Sequence, residues 1–156
     1  MDELKLEKAQ EVYNTLCAAL DARKWVYEKH QEDLVVTFGV RGDDLPMRYV
    51  VGVDADRQLI RLSSPLPFQM KEDKRVEGAI ITTVATYAIA DGCFDYDMTD
   101  GEICFRLTAP FMECEVREGL FHHLVSLATH LVDEFNDKFM AVNNGLWSIK
   151  DFLEKT

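Results

Sequence analysis

The residues whose types and spacing come nearest to a chemical site are three aspartates, Asp95, Asp97 and Asp100, followed by Gly101. Closely spaced carboxylates before a glycine are typical of calcium-binding loops. The EF-hand pattern places its glycine three residues after the second aspartate, whereas here Gly101 comes four residues after Asp97. The spacing therefore favours a solvated acidic face and a cross-strand Asp95–Arg106 pair over a metal site.

Three histidines, His122, His123 and His130, fall within one long predicted helix. His123 and His130 are seven residues apart and share a helix face, with Asp133 and Glu134 on the following turn. Helical metal sites use ligands three or four residues apart, as in H-E-x-x-H, and the chain lacks that pattern. We interpret the three histidines as solvated side chains and expect no bound metal.

No other pattern predicts catalysis. The four cysteines, at positions 17, 93, 104 and 114, form no C-x-x-C pair and are expected to be free thiols in a reducing compartment. The chain has neither a G-x-S-x-G elbow nor a glycine-rich phosphate loop. We therefore expect no catalytic residues, no cofactor and no enzymatic activity.

The charge balance limits the partners. With 28 acidic and 17 basic residues the net charge is −11, and such a surface repels phosphate backbones and anionic lipids. The first residues lack the basic start and apolar core of a secretory signal. We expect a cytoplasmic protein that binds neither nucleic acid nor membranes.

Hydrophobic periodicity predicts one α+β domain over residues 1–156, in which an antiparallel sheet is covered on one face by helices in the order α-β-β-β-α-β-β-α-α. Residues 25–27 are expected to begin an additional short strand. The predicted elements are a helix over 2–24, strands over 34–40, 47–53 and 59–62 that end at Pro65-Leu-Pro67, a helix over 76–87 with Gly92 as its terminating glycine, a hairpin over 94–108, a long helix over 116–140, and a last helix capped by Ser148 and Asp151.

The helix over 76–87 is predicted because its apolar set recurs at helical spacing, and this set is its expected apolar face. That set is Val76, Ala79, Ile80, Thr83, Val84 and Tyr87.

The hairpin has a predicted register. Asp100-Gly101 is the dipeptide that a two-residue type I′ turn prefers, because both central residues need positive φ. Such a turn sets Tyr96 opposite Phe105 and Asp95 opposite Arg106. The polar face of the hairpin, with Asp95, Asp97 and Arg106, is a candidate binding surface.

The long helix has a wider apolar face than one sheet needs, which is a stripe of about 100°. Either this helix is sandwiched within the domain or part of its face contacts another chain. The candidate dimer or partner face is the stripe Leu120, Leu124, Leu127, Leu131 and Phe135, which adjoins a second stripe of Phe121, Val125, Ala128 and Val132.

The run from Gly92 to Arg106 resembles the YbjN-like family of small bacterial proteins. The positions that match the family pattern are Gly92, Phe94, Tyr96, Asp97, Asp100, Gly101, Ile103, Phe105 and Arg106. The resemblance implies the fold of the class I type III secretion chaperones: a small, acidic, often dimeric α+β domain labelled sensory or regulatory. The chain departs from the pattern at Thr86 and Tyr87, where many relatives are expected to have an asparagine that ties the helix end to the hairpin.

These observations together predict a non-enzymatic protein-binding module, chaperone-like or adaptor-like, that forms a homodimer and holds an unidentified protein partner at its sheet or sheet edge. The alternative is a small-molecule-responsive or metal-responsive regulator, or an unrecognised enzyme, with a pocket between the sheet and the long helix.

Overall fold

The computed structural model describes residues 2–156 and confirms the α+β class, the element order and a short additional strand near residue 27. The elements are α1 (Glu3–Ala22), β1 (Tyr27–His30), β2 (Val35–Arg41), β3 (Pro46–Asp54), β4 (Leu59–Gln69), α2 (Arg75–Ala88), β5 (Cys93–Tyr96), β6 (Glu102–Pro110), α3 (Glu118–Asn143) and α4 (Ile149–Lys155). Among the described residues no helix has the length and apolar character needed to cross a membrane.

The strands form one antiparallel sheet in the order β1-β2-β3-β4-β6-β5. Side chains alternate between its two faces, and the face that carries Val36, Tyr49, Leu62 and Phe105 is buried under the helices. A group of contacting aromatic rings fills one end of this core: Phe94, Phe105, Phe135, Phe139 and Phe152. The opposite face of the sheet is only partly buried or exposed.

The prediction that Pro65-Leu-Pro67 ends a strand is wrong, because β4 continues to Gln69. Phe111 N–H donates to the Gln58 carbonyl, so even-numbered residues of β4 bond to β6 and odd-numbered residues point toward β3. The pairing with β3 ends at Ser63. Pro65 therefore has its missing N–H on the β3 side, where no ladder bond exists, and Pro67 lies in the irregular segment between Pro65 and Gln69 where the β4–β6 register shifts.

The predicted hairpin register is also wrong by two residues. Tyr96 pairs with Ile103, and Asp95 pairs with Cys104 rather than with Arg106. The turn is longer than two residues: Asp97 N–H donates to the Glu102 carbonyl, and in the loop only Gly101 has positive φ, at 80°. A type I′ turn needs two such residues, so the Asp-Gly dipeptide lies at the end of the loop instead of forming it.

The face of α2 that is buried differs from the predicted one. Val76, Ile80 and Tyr87 are exposed, and the buried residues are Gly78, Ile81, Thr82 and Ala85. A Cβ at Gly78 would lie less than 3.0 Å from side-chain atoms of Tyr96 and Met70 and would clash with them. The close approach of α2 to these residues therefore requires a glycine at this position. Gly92 does not end α2 either, since α2 ends at Ala88 with extended Ile89 as its cap.

The last turn of α3 is tied to the end of β4 through one buried side chain. Asn143 Oδ1 accepts from the Lys71 N–H at 2.8 Å, and Asn143 Nδ2 donates to the Gln69 carbonyl at 3.1 Å. The capping box predicted for α4 is confirmed, with Ser148 and Asp151 bonding each other's backbone N–H.

Candidate binding site

One edge of the sheet, strand β5, is closed by a helix side chain. Asp97 N–H donates to the Glu102 carbonyl of β6. Because backbone groups along an antiparallel strand point alternately to its two sides, the Phe94 N–H points away from β6. Thr86 Oγ1 of α2 accepts a hydrogen bond from this N–H at 2.9 Å. Thr86 thus ties the end of α2 to the hairpin. The helix that packs along β5 blocks pairing with a further strand.

The other edge, strand β1, is open. The Val53 N–H donates to the Leu34 carbonyl at 3.0 Å, so alternation places the N–H and C=O groups of Glu28 and His30 toward β2 and those of Tyr27 and Lys29 outward. Within residues 2–156 no strand pairs with this outer side. Unpaired groups of this kind can accept an added strand.

A cleft opens beside this edge, between α1, α3 and β2. Its volume is about 360 Å³, which is within the range of sites for small ligands. Leu20, Trp25 and Val40 form one wall, and the Trp25 ring packs on Phe38 at a centroid distance of 5.4 Å. The opposite wall is a row of α3 residues, namely Phe121, His122, Val125, Ser126, Thr129 and His130.

The histidines are distributed differently from their sequence grouping. His122, which is partly buried, and His130, whose side chain is 76% exposed, both line the α1–α3 cleft. His123 is exposed and lines a separate groove near Gly92 and Arg106. His130 Nε2 lies 3.9 Å from Glu134. Within residues 2–156 no three His, Cys, Asp or Glu side chains come together in a group that could hold a metal ion.

The polar hairpin face contains a bidentate ion pair. Arg106 Nε and Nη2 donate to the two Asp95 carboxylate oxygens at 2.7 and 3.0 Å, so the predicted contact exists although the two residues are diagonal rather than opposite. The Arg106 hydrogen bonds lower the pKa of Asp95. Asp97 and Asp100 instead accept from the N–H groups of Thr99 and Glu102. The three aspartates therefore serve separate partners.

The cysteines near this pair are poor nucleophiles. Burial raises the pKa of Cys104 to about 11 and also raises the pKa of Cys93, so both thiols are protonated at neutral pH. All four cysteines are free.

The candidate dimer stripe on α3 is largely occupied within the chain. Leu124, Leu131 and Phe135 are buried, and Leu120 and Leu127 are partly buried. The helix contacts α1, α2, α4, β4 and β6. Its wide apolar face is therefore explained by packing within the domain, the first of the two predicted alternatives. This stripe does not form a continuous exposed face.

A pocket between the sheet and the long helix belongs only to the alternative hypothesis from the sequence, and the sequence does not predict which residues of α1 and β2 line it. Residues of α1 and β2 meet α3 there only through the tertiary fold, so local patterns carry no signal for them. Two signals were present: His122 and His130, eight residues apart, and Trp25 just after the first helix.

No family model and no curated protein matches the sequence. Among solved structures, the crystal structure of YbjN, described as a candidate transcription regulator from E. coli, matches with a TM-score of 0.61 and 12% sequence identity. The match covers 81% of this chain and 92% of YbjN. Identity at this level supports a statement about fold and none about activity: the chain has a YbjN-like fold.

Proposed function

We propose that this chain is a non-enzymatic, cytoplasmic protein-binding module that holds an extended segment of a partner protein at the open β1 edge. The observation that carries the proposal is the contrast between the two edges of the sheet. Thr86 and α2 close β5, whereas no strand of residues 2–156 lies beside the outward groups of Tyr27 and Lys29. Strand addition uses such groups for main-chain hydrogen bonds.

The side chains around the edge support a specific partner rather than uncontrolled pairing. Strand β1 is four residues long and carries Glu28, Lys29 and His30, and short charged edge strands resist aggregation. Val26, next to it, is 92% exposed. The acidic surface makes a protein segment a better partner for this edge than nucleic acid or membrane.

The test is a pull-down of the tagged protein from its native cells, read by mass spectrometry, with two variants at one position. Lys29→Pro removes only an outward N–H and leaves the β1–β2 ladder intact, whereas Lys29→Ala removes the side chain and keeps the N–H. We expect one partner at near-stoichiometric yield with the wild type and Lys29→Ala, and at least about tenfold less with Lys29→Pro. Equal recovery with Lys29→Pro, or no partner at all, would contradict the proposal.

Self-association is part of this proposal as a prediction from the sequence. The α3 stripe is a poor surface for it because most of the stripe is buried in the chain. Sedimentation equilibrium tests it directly, and a single monomeric species across micromolar concentrations would remove the homodimer.

A second candidate function is favoured by the α1–α3 cleft: a regulator that responds to a small organic molecule. The cleft lies between the sheet and the long helix, and His122 and His130 line it. A metal-responsive regulator is not favoured, because within residues 2–156 no three His, Cys, Asp or Glu side chains come together to hold a metal ion.

A further inference from the structure

We propose that the α1–α3 cleft binds a small amphipathic carboxylate, with an apolar body against its walls and the carboxylate beside Arg23. This inference specifies the ligand of the second candidate function. It does not depend on the β1 edge.

The size and walls of the cleft fit an apolar body. Leu20, Phe121 and Val125 are nearly fully buried and line its interior, and the half-buried Trp25 ring is held against Phe38. A space of about 360 Å³ can contain a linear chain of about ten carbons, because ligand sites of this size take small molecules. Apolar contact drives such binding at about 25 cal/mol per Å² removed from water.

The charged and polar groups around the cleft fit an anion. The lining contains no Asp or Glu, although the chain has 28 of them. Arg23 lines the cleft and is exposed, and within residues 2–156 it makes no ion pair with an acid. A guanidinium with free donors matches a carboxylate in geometry and charge.

The cleft also has two histidines on α3, eight residues and therefore about 12 Å apart along the helix axis, so they lie at different heights of the cleft. His122 and His130 line the cleft, and each imidazole carries at least one N–H donor. Glu134 lies 3.9 Å from His130, so an anion is better placed beside Arg23 than beside His130, where this carboxylate would repel it. An ammonium group in the same place would face Arg23 and be repelled.

The probes are decanoate and decylammonium, each below its critical micelle concentration, and decan-1-ol below its solubility limit. They share one apolar chain and differ only in the head group. Binding is measured by isothermal titration calorimetry and by Trp25 fluorescence in a Trp147→Phe background. We expect decanoate to bind at least about tenfold more tightly than the other two, which corresponds to about 1.4 kcal/mol.

Three variants locate the binding. Arg23→Gln should abolish the preference for decanoate, and Ser126→Phe, at an exposed position of the lining, should abolish binding of all three probes by filling the cleft. Arg48→Gln is the matched control, because Arg48 is an exposed arginine on the opposite face of the sheet, and it should change nothing.

The outcomes separate this inference from the function that it specifies. If decan-1-ol binds as tightly as decanoate, the carboxylate inference is overturned while a ligand site in the cleft remains. If no probe binds the wild type, or if Ser126→Phe leaves binding unchanged, both are overturned.

Discussion

Two adjacent serines on β4 have opposite environments. Ser64 is fully buried on the helix-facing side, and its hydroxyl has no hydrogen-bond partner within residues 2–156, whereas Ser63 is partly exposed on the other face. A buried hydroxyl without a partner keeps its desolvation cost. We expect Ser64→Ala to raise the free energy of unfolding by about 1 kcal/mol, measured by urea denaturation.

Ser63→Ala is the matched control. It should change the free energy of unfolding by less than about 0.5 kcal/mol, as is usual for exposed positions. A loss of stability with Ser64→Ala would show that the hydroxyl has a partner, and the packing described for β4 would be wrong.

Thr86 makes one hydrogen bond that closes the β5 edge. Thr86→Val keeps the β-branched shape and removes the acceptor of the Phe94 N–H. Since Phe94 is buried, we expect the free energy of unfolding to fall by about 1–3 kcal/mol, measured by chemical denaturation. Thr86→Ser keeps the hydroxyl and should lose less than half as much; equal losses would assign the effect to packing alone.

Residue-level patterns predicted contacts better than they predicted register. The Asp95–Arg106 pair is predicted from a register that sets the two residues opposite each other, and it forms although that register is wrong, because a long arginine side chain reaches a diagonal neighbour. The tie between Thr86 and Phe94 could not be predicted, since it depends on where α2 ends relative to the hairpin.

At the scale of elements, the loop between β2 and β3 docks on α3 through acidic groups. Asp43 N–H donates to the Asp133 carboxylate at 3.2 Å. Partial desolvation, and then a hydrogen bond with the facing Asp44 carboxyl, raise the pKa of the exposed Asp137, and partial desolvation is also the main cause of the raised pKa of Asp133. A carboxyl group whose pKa is raised in the folded state lowers the stability of the fold at pH values above that pKa. This penalty is absent at pH values below 3.8, the ordinary pKa of an aspartate.

We therefore expect Asp137→Asn to stabilise the protein at pH 7, by less than about 1 kcal/mol because Asp137 is exposed. The gain should disappear as the pH falls toward about 3. Thermal unfolding across this pH range measures it, with Asp91→Asn, an exposed aspartate elsewhere, as the control. A gain that persists at low pH would mean that electrostatic repulsion is not its cause.

The same scale shows why some elements were predicted only in part. The existence of α2 follows from its length and spacing, but its buried face does not, because Gly78 and Ala85 give little hydrophobic signal. Gly78 is selected by close approach to Tyr96 of β5. Likewise, Pro65 and Pro67 predict a strand end unless the neighbouring strand is known to have stopped pairing first.

At the scale of the whole molecule, the sheet has one closed and one open edge, with an apolar cleft beside the open one. The YbjN-like fold could be predicted from the hairpin motif and element order, because both lie along the chain. The cleft could not, since its walls come from α1, β2 and α3 and meet only in the folded molecule.

The most direct test of this account is amide hydrogen exchange of the isolated protein by NMR. The amides of Tyr27 and Lys29 should exchange at nearly unprotected rates because they point away from β2, while the Phe94 amide should be protected by Thr86. Protection of Tyr27 and Lys29 to the level of Phe94 would show that the β1 edge is covered in the protein itself, and would contradict its proposed role in binding a partner.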